Sequence, residues 1–177
     1  MFAELAARGG KPDRRMLDAD APEGASNRCQ PAQKGALPRR IGRTKGGLNS
    51  KLHRVTDGQG RPLAMLLTEG QASDYRGTAL LLTALPPAKD LIADKGHDGN
   101  GFRNALAERG IADIPSSFSR RIAIRHEPLP CRQRHKIEIM FGRPKDWRRI
   151  HTRYDRRAHA FFSAICIAAT VIFWLKQ

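Results

Sequence analysis

Cysteine and acidic residues are scarce in this sequence, and each shortage argues against a class of protein. Only three of the 177 residues are cysteines, Cys29, Cys131 and Cys166. Their number is odd and no Cys-x-x-Cys pair is matched by a second ligand pair, which argues against a disulfide framework and a zinc site and fits a reducing cytosol. The first residues also lack a charged segment followed by a long apolar run, so no secretory signal is predicted.

The shortage of acidic residues leaves the chain strongly basic. Lys and Arg number 32 against 17 Asp and Glu, which gives a formal net charge of +15. Because Lys and Arg neutralise phosphates and release counterions, this imbalance points to a polyanionic partner. Nucleic acid is the leading candidate and an anionic membrane surface the second, while a basic soluble protein without such a partner is the alternative.

The order of the predicted elements indicates a mixed α/β sheet. The elements are a hairpin of strands 52–56 and 63–68, a helix at 74–85, a strand at 90–94, a helix at 99–109 and a strand at 111–114. The hairpin prediction depends on the Gly-rich turn between two apolar runs, and the first helix is stopped by Pro86. A chain of 177 residues suits a single domain with a real core.

Two predicted strands deliver carboxylates to their ends. The run 16–20 predicts a short strand that places Asp18 and Asp20 on one face. The run 91–94 predicts a buried strand that ends in Asp94. Ligands of open α/β sheets bind outside the carboxyl ends of strands, so these residues are candidates for catalysis, although any strand must end in polar residues.

A third carboxylate, Glu138, lies in a helix predicted over residues 131–142. It follows Arg134 by four residues, so the two side chains share one stripe of the helix. If this stripe faces the sheet, it brings Glu138 towards the strand ends. The alternative is an ordinary ion pair with Arg134 on a solvated helix.

Two basic segments are candidates for phosphate contacts. One is a Gly-rich loop predicted over residues 21–47, and the other is the run 143–157, which holds seven Lys and Arg residues with Trp147 and Tyr154. Basic residues with aromatic neighbours suit phosphate contacts and base stacking, and a solvated charge run is the alternative. The basic side chains concerned are Arg39, Arg40, Arg43, Lys45, Arg148, Arg149 and Arg153.

The run 158–175 contains 18 residues without a charge. Its length lies at the lower limit for a transmembrane helix, and arginines precede it. A helix that is apolar all round is equally typical of a core helix covered by other elements. These two interpretations cannot be separated on composition alone.

Five ordered blocks resemble the catalytic part of bacterial insertion-sequence transposases, in the insertion-sequence-five grouping of the DDE superfamily. They are IGRTKGGLNSKLH, VTDGQGRPLAMLLTEGQASD, LIADKGHDGNGFR, RQRHKIEIMFGRPKDWRRIHTRYD and AHAFFSAICIAATVIFWL. The resemblance implies an RNase H-like fold whose mixed sheet presents two Asp and one Glu that hold two divalent metal ions. It also implies that the apolar tail closes the sheet as a helix, so no stable membrane association is expected.

The resemblance assigns a role to each carboxylate. Asp18 matches the first Asp on the first strand, Asp94 matches the second Asp, and Glu138 matches the Glu on a helix after the sheet. All three would be both catalytic and metal-ligating. Two Mg²⁺ or Mn²⁺ ions held by such residues, roughly 3.5–4 Å apart, would clamp the attacking and leaving oxygens of an in-line displacement at phosphorus.

The resemblance also implies the partners. Arg134 and Lys145 keep the family's spacing around Glu138 and would lie against DNA phosphates near the scissile site. The expected activity is DNA strand cleavage and strand transfer at terminal inverted repeats, by a homo-oligomer in a synaptic complex with target DNA. Relatives carry an N-terminal DNA-recognition domain that is not expected here, so the product resembles either the second reading frame of such an element, with an upstream-frame product as a further partner, or a decayed copy. The alternatives are a non-catalytic DNA-binding remnant and a small membrane-anchored basic protein.

Several positions depart from the family pattern. After Asp18, the family's Thr- and His-containing continuation is replaced by Asp20, Ala21 and Pro22. Cys131 and His97 each stand where the family carries Tyr, and Pro144 stands in place of an aliphatic residue. A proline inside a helix removes a hydrogen bond and clashes with the preceding turn. The helix is therefore expected to kink or stop near Gly142, which would displace Lys145 from the stripe of Glu138.

Overall fold

One mixed sheet organises the part of the chain that the computed structural model describes, which comprises residues 14–21, 39–85, 87–93, 100–114 and 135–175. The elements are β1 (Arg14–Asp20), β2 (Gly42–Thr44), β3 (Gly47–Asp57), β4 (Pro62–Glu69), α1 (Asp74–Thr83), β5 (Asp90–Ala93), α2 (Asn100–Glu108), β6 (Ala112–Ile114), α3 (His135–Lys145), α4 (Arg148–His151) and α5 (Ala158–Thr170). The last of these helices continues as a π-helix over Val171–Leu175.

Strand β1 lies in the middle of the sheet. It pairs antiparallel with β3, where Asp18 is opposite Arg54, and parallel with β5, where Leu17 is opposite Ala93. Strand β4 pairs with β3 and β6 pairs with β5, which gives the path β4, β3, β1, β5, β6, while β2 pairs with the start of β3. Strand β1 is therefore paired with a neighbouring strand along both of its edges.

The turn between β3 and β4 is fixed by Asp57. Its Oδ1 accepts hydrogen bonds from the backbone N–H groups of Gln59 and Arg61, both at 2.9 Å, and its Oδ2 lies 2.7 Å from Nε of Arg61. Gly60 has a φ of 84°, a conformation that favours glycine. The predicted hairpin is confirmed, and local turn chemistry accounts for it.

Helices α1 and α2 cover one face of the sheet, which we call the α1–α2 face. Ser73 caps α1 by accepting a hydrogen bond from the N–H of Arg76 at 3.3 Å. Gly77 lies directly against the buried ring of His53 on β3. The buried apolar cluster on this face consists of Leu17, Val55, Leu63, Leu81, Leu82, Leu85, Leu91, Ala93, Phe102, Leu106 and Ile111.

Helices α3, α4 and α5 lie on the opposite face, which we call the α3–α5 face. Its apolar cluster joins β3 and β4 to α4 and α5 through Leu52, Leu67, Ile150, Phe161, Ile165 and Ala168. Side chains alternate along a strand, so the neighbours of Leu52 on this face are Arg54 on β3 and Asp18 and Asp20 on β1. This face therefore carries charge beside its apolar core.

The C-terminal segment forms the helix expected from its composition. Phe161, Ile165 and Ala168 of α5 are almost fully buried, while Ile167 is 60% exposed. By length and composition alone, the 18-residue helix 158–175 could also cross a membrane. In this structure one side of the helix packs against the sheet, as in the closing-helix prediction.

One part of the sequence interpretation is wrong. Residues 42–44, assigned to an exposed loop over 21–47, form β2, and Gly47 already begins β3. Three residues of strand carry too little periodicity to be recognised, and β2 exists only because β3 offers a partner. Residues 22–38 of the predicted loop lie outside the described ranges.

Candidate active site at the end of β1

Asp18 and Asp20 project from the end of the central strand on the α3–α5 face. Both side chains are half-buried. In each, Oδ1 accepts a hydrogen bond from the next backbone N–H, that of Ala19 or Ala21, at 2.8 Å. These bonds help to orient the carboxylates, because a short acidic side chain that binds its own backbone loses rotamer freedom.

A buried cation lies beside these carboxylates. Arg54 is only 3% exposed and is the cross-strand partner of Asp18. Burial lowers the pKa of Arg54 to about 9, although the negative charges of Asp20 and Asp18 act to raise it. The guanidinium therefore remains charged at neutral pH, and the two carboxylates compensate its charge inside the fold.

Helix α3 is joined to β1 by an ion pair. Nζ of Lys145 lies 2.7 Å from Oδ2 of Asp20, with both side chains about one-third exposed, at 30% and 35%. Glu138 precedes Lys145 by seven residues, close to two helical turns, so the two belong to the same stripe. Glu138 itself is exposed. The ion pair thus turns the stripe that carries Glu138 towards the end of β1.

The expected stop of this helix near Gly142 is wrong. Helix α3 continues through Pro144 to Lys145, and Lys145 reaches Asp20 rather than being displaced. Pro144 is buried and stands in the last turn, so its missing N–H interrupts the helix only at its end. The helix ends one residue after the proline instead of two residues before it.

Two predicted site residues, Asp94 and Arg134, fall outside the described ranges, as do His97 and Cys131. The chain is described up to Ala93, which pairs with Leu17, the residue before Asp18. Within the described ranges, no group of three His, Cys, Asp or Glu side chains forms a metal site. The site that the described residues assemble consists of Asp18, Asp20, Arg54 and Lys145.

The predicted DNA-contacting residues differ in their surroundings. Arg43, Lys45 and Arg148 are exposed. Arg40 lies 3.0 Å from Glu69, and Arg149 binds Asp155 through two bonds of 2.9 and 3.0 Å, although both arginines remain open to solvent. The hydrogen bonds of Arg149 to Asp155, together with the negative charge of that carboxylate, raise the pKa of Arg149.

The prediction that Arg153 contacts DNA is corrected by the burial of its side chain. It is 1% exposed, and its guanidinium donates to the carbonyls of Arg39, Arg40 and Asp155 and to the hydroxyl of Ser50. Its Cζ lies 4.9 Å from the ring centroid of Phe161. A guanidinium surrounded in this way joins residues 39–40 to β3 and α5, so its role is structural.

Sequence reasoning missed Arg54. Its only local signal is a charged residue inside the apolar run 52–55, which predicts an inward cation if the strand is covered on both faces. Its partner Asp18 is distant in the chain, and only the register of β1 with β3 places the two residues opposite each other.

Comparison with known proteins identifies the family. The family profile described as the transposase DDE domain matches residues 28–173. The chain belongs to the DDE transposase family. A protein named as a transposase for insertion sequence element IS402 of Burkholderia cepacia is 32% identical over 155 residues, or 77% of this chain and 72% of the relative. One named for IS6501 of Brucella ovis is 30% identical over 131 residues, or 73% of this chain and all of the relative.

Solved structures share the fold of this transposase at low sequence identity. The catalytic core domain of BIV integrase aligns with a TM-score of 0.50 and 10% identity, over 94% of this chain and 87% of that chain. A chain of the simian T-cell lymphotropic virus intasome, in complex with PP2A regulatory subunit B56 gamma, aligns with a TM-score of 0.50 and 14% identity. This transposase spans half of that chain and is itself covered over 93%. The RNase H-like fold expected from the sequence is confirmed.

Proposed function

We propose that this protein cleaves and transfers DNA strands at the ends of an insertion sequence by metal-dependent phosphoryl transfer. The observation that carries the proposal is the ion pair between Lys145 and Asp20, which holds the Glu138 stripe of α3 at the end of the strand that bears Asp18. The pair joins a strand and a helix that are distant in the chain, which no local sequence pattern requires. Membership of the DDE transposase family supports the same chemistry.

Asp18, Asp94 and Glu138 are the residues that would hold the metal ions. Their carboxylate oxygens suit Mg²⁺ or Mn²⁺, and we expect two ions. Asp94 follows directly after Ala93, the last residue of β5, in the sequence. When bound, such ions activate a water or a 3′-hydroxyl and stabilise the leaving oxygen.

The remaining role of the chain is to bind and position DNA. Arg43, Lys45 and Arg148 are exposed and free to meet backbone phosphates, and Arg40 and Arg149 can exchange their carboxylate partners for phosphates. We also assign Arg39, Arg134 and Lys145 to the DNA-facing set. The partners would be terminal inverted repeats and target DNA, bound by a homo-oligomeric synaptic complex in the cytoplasm at the nucleoid, with an upstream-frame product as a further component.

A cleavage assay tests this function. The purified protein would be incubated with Mg²⁺ and a DNA fragment that carries the genomic flanks of its gene, and nicking and strand transfer would be measured. We expect Asp18→Asn and Glu138→Gln each to reduce both products to background, because each removes a ligand charge. Glu108→Gln, an exposed change on α2, is the matched control and should retain wild-type activity.

A second candidate function is DNA binding without catalysis. It is favoured by the positive charges of Arg54 and Lys145. They offset the negative charges of Asp18 and Asp20 and so oppose the binding of a divalent cation. Equal product formation by the wild type and Asp18→Asn, with unchanged DNA affinity in both, would select this candidate over the catalytic one.

A further inference from the structure

Arg54 is buried beside the proposed metal ligands. It stands in β3, next to the central strand, and its side chain is directed to the α3–α5 face together with that of Asp18. The register places these two residues directly opposite each other, where β carbons are about 4.5–5.5 Å apart. An exposure of 3% leaves the guanidinium almost no water.

The surroundings of Arg54 are mostly apolar apart from the site itself. A cavity of about 10 Å³ is lined by Asp20, Arg54 and Lys145 together with Leu52, Ile150 and Ile165. A space of this size holds at most about one water molecule. The charge of Arg54 must therefore be compensated by protein groups, and the carboxylates of Asp20 and Asp18 are those whose field acts on it.

Other buried arginines of the described structure have a different environment. Arg15 projects from β1 to the opposite face, where it donates to the carbonyls of Arg14 and Pro87 and is attracted by Asp57. Arg153 is surrounded by carbonyls and one hydroxyl. Arg54 is the one of these three whose counter-charges are the proposed ligand Asp18 and its neighbour Asp20.

We propose that Arg54 is a positioning residue that holds and neutralises Asp18 until a divalent cation takes over this charge. The inference rests on the proposed function, since it treats Asp18 as a metal ligand. A buried guanidinium that is charged at neutral pH supplies the counter-charge that a half-buried carboxylate needs without metal. The same charge repels an incoming cation, so Arg54 sets the affinity of the site as well as its geometry.

The test compares thermal unfolding in EDTA with unfolding over a Mn²⁺ titration, because a ligand that binds only the folded state raises the midpoint by an amount that grows with the logarithm of its concentration over its dissociation constant. Wild type, Arg54→Met, Arg54→Lys and the control Arg15→Met would be measured. Arg54→Met should have a lower midpoint in EDTA and a Mn²⁺ dissociation constant about tenfold or more below that of the wild type. Arg54→Lys keeps the charge and should stay within about threefold.

A merely structural role would give a different pattern. In that case Arg54→Met would lower the midpoint equally with and without Mn²⁺ and leave the dissociation constant within about twofold, as expected for Arg15→Met, and this result would overturn the inference.

If Arg54→Met alone fails to fold, a double mutant measured in the absence of metal keeps the inference testable. Adding Asp18→Asn to Arg54→Met removes both charges of the pair and should restore part of the lost midpoint in EDTA, whereas equal instability of the single and double variants would refute the positioning role. Failure of the proposed function would give a different result. The unfolding midpoint of the wild type would then not respond to Mn²⁺, or the same response would persist in Asp18→Asn.

Discussion

The two faces of the sheet bury different chemistry, although they share the same strands. The α1–α2 face is closed by a continuous apolar cluster that includes Leu17, Val55 and Leu91. On the α3–α5 face, the same strands present Asp18, Asp20 and Arg54 next to a smaller cluster around Phe161. The first face also buries a charged pair, Arg15 and Asp57, but the second places the buried Arg54 beside Asp18, a proposed metal ligand. The two faces therefore differ in what their buried charges accompany.

The largest expected effect is a loss of stability when the buried charge of Arg153, which has a structural role on the α3–α5 side, is removed. Arg153→Met should destabilise the protein by about 3–5 kcal/mol, because it leaves three carbonyls and the hydroxyl of Ser50 without their donor. Urea unfolding at equilibrium measures this loss. Arg149→Ala is the control, and its midpoint should not change measurably because its side chain is exposed. A stable Arg153→Met with weakened DNA binding would restore Arg153 to the DNA contacts.

A smaller effect tests the packing of the α1–α2 face. A Cβ added at Gly77 would collide with the imidazole ring of His53, so Gly77→Ala should cost about 1–3 kcal/mol. The matched change on the other face is Gly142→Ala in α3, where no described atom lies within 4 Å of the added Cβ. That change should stabilise the protein by up to about 1 kcal/mol through helix propensity. Equal effects of both substitutions in urea unfolding would remove this distinction between the faces.

The ion pair between Lys145 and Asp20 should have a still smaller effect on stability. A double-mutant cycle of Lys145→Met and Asp20→Asn is expected to give a coupling energy of about 0.5–1 kcal/mol, because both side chains are partly exposed. Its effect on cleavage should be larger than its effect on stability, since the pair orients the stripe of Glu138. If the coupling is zero, α3 is held against β1 by apolar contacts alone.

The smallest expected effect concerns the salt dependence of DNA binding. Arg148→Ala should reduce the slope of log affinity against log salt concentration by about one, as the loss of one phosphate contact does. Arg76→Ala on α1 removes an equally exposed arginine from the other side of the sheet and should leave the slope unchanged. Fluorescence anisotropy with labelled duplex DNA measures both. Equal slope changes would mean that DNA contacts are not confined to the α3–α5 side.

Features that depend on neighbouring residues in the chain could be predicted from the sequence. The turn at Asp57 and the stop at Pro86 are local, so the hairpin and α1 could be predicted. The ends of β4 and α1 were correct to within two residues, whereas β3 begins five residues before the predicted strand. The apolar run 158–175 likewise predicted its helix. Short-range chemistry determines these elements, and it can be read directly from adjacent residues.

Features that depend on partners distant in the chain could not be predicted. Strand β2 exists through its pairing with β3, Arg153 is buried because residues 39–40 lie beside it, and Lys145 finds Asp20 across the fold. The resemblance selected Asp18, Asp94 and Glu138, and their roles stay predictions. The structure adds Arg54 and Asp20 beside Asp18.

The central position of β1 has a consequence for the order in which the protein folds. The β3–β4 hairpin closes through Asp57 and Arg61, four residues apart, whereas the bond between Arg14 and Asp90 spans 76 residues of the chain. Because long loops close more slowly than short ones, we expect the hairpin to be protected early in pulse-labelled hydrogen exchange and β1 to be protected late. Asp18 would then meet Arg54 in one of the final steps, so a nascent chain acquires its charged site only after the rest of the sheet can support it.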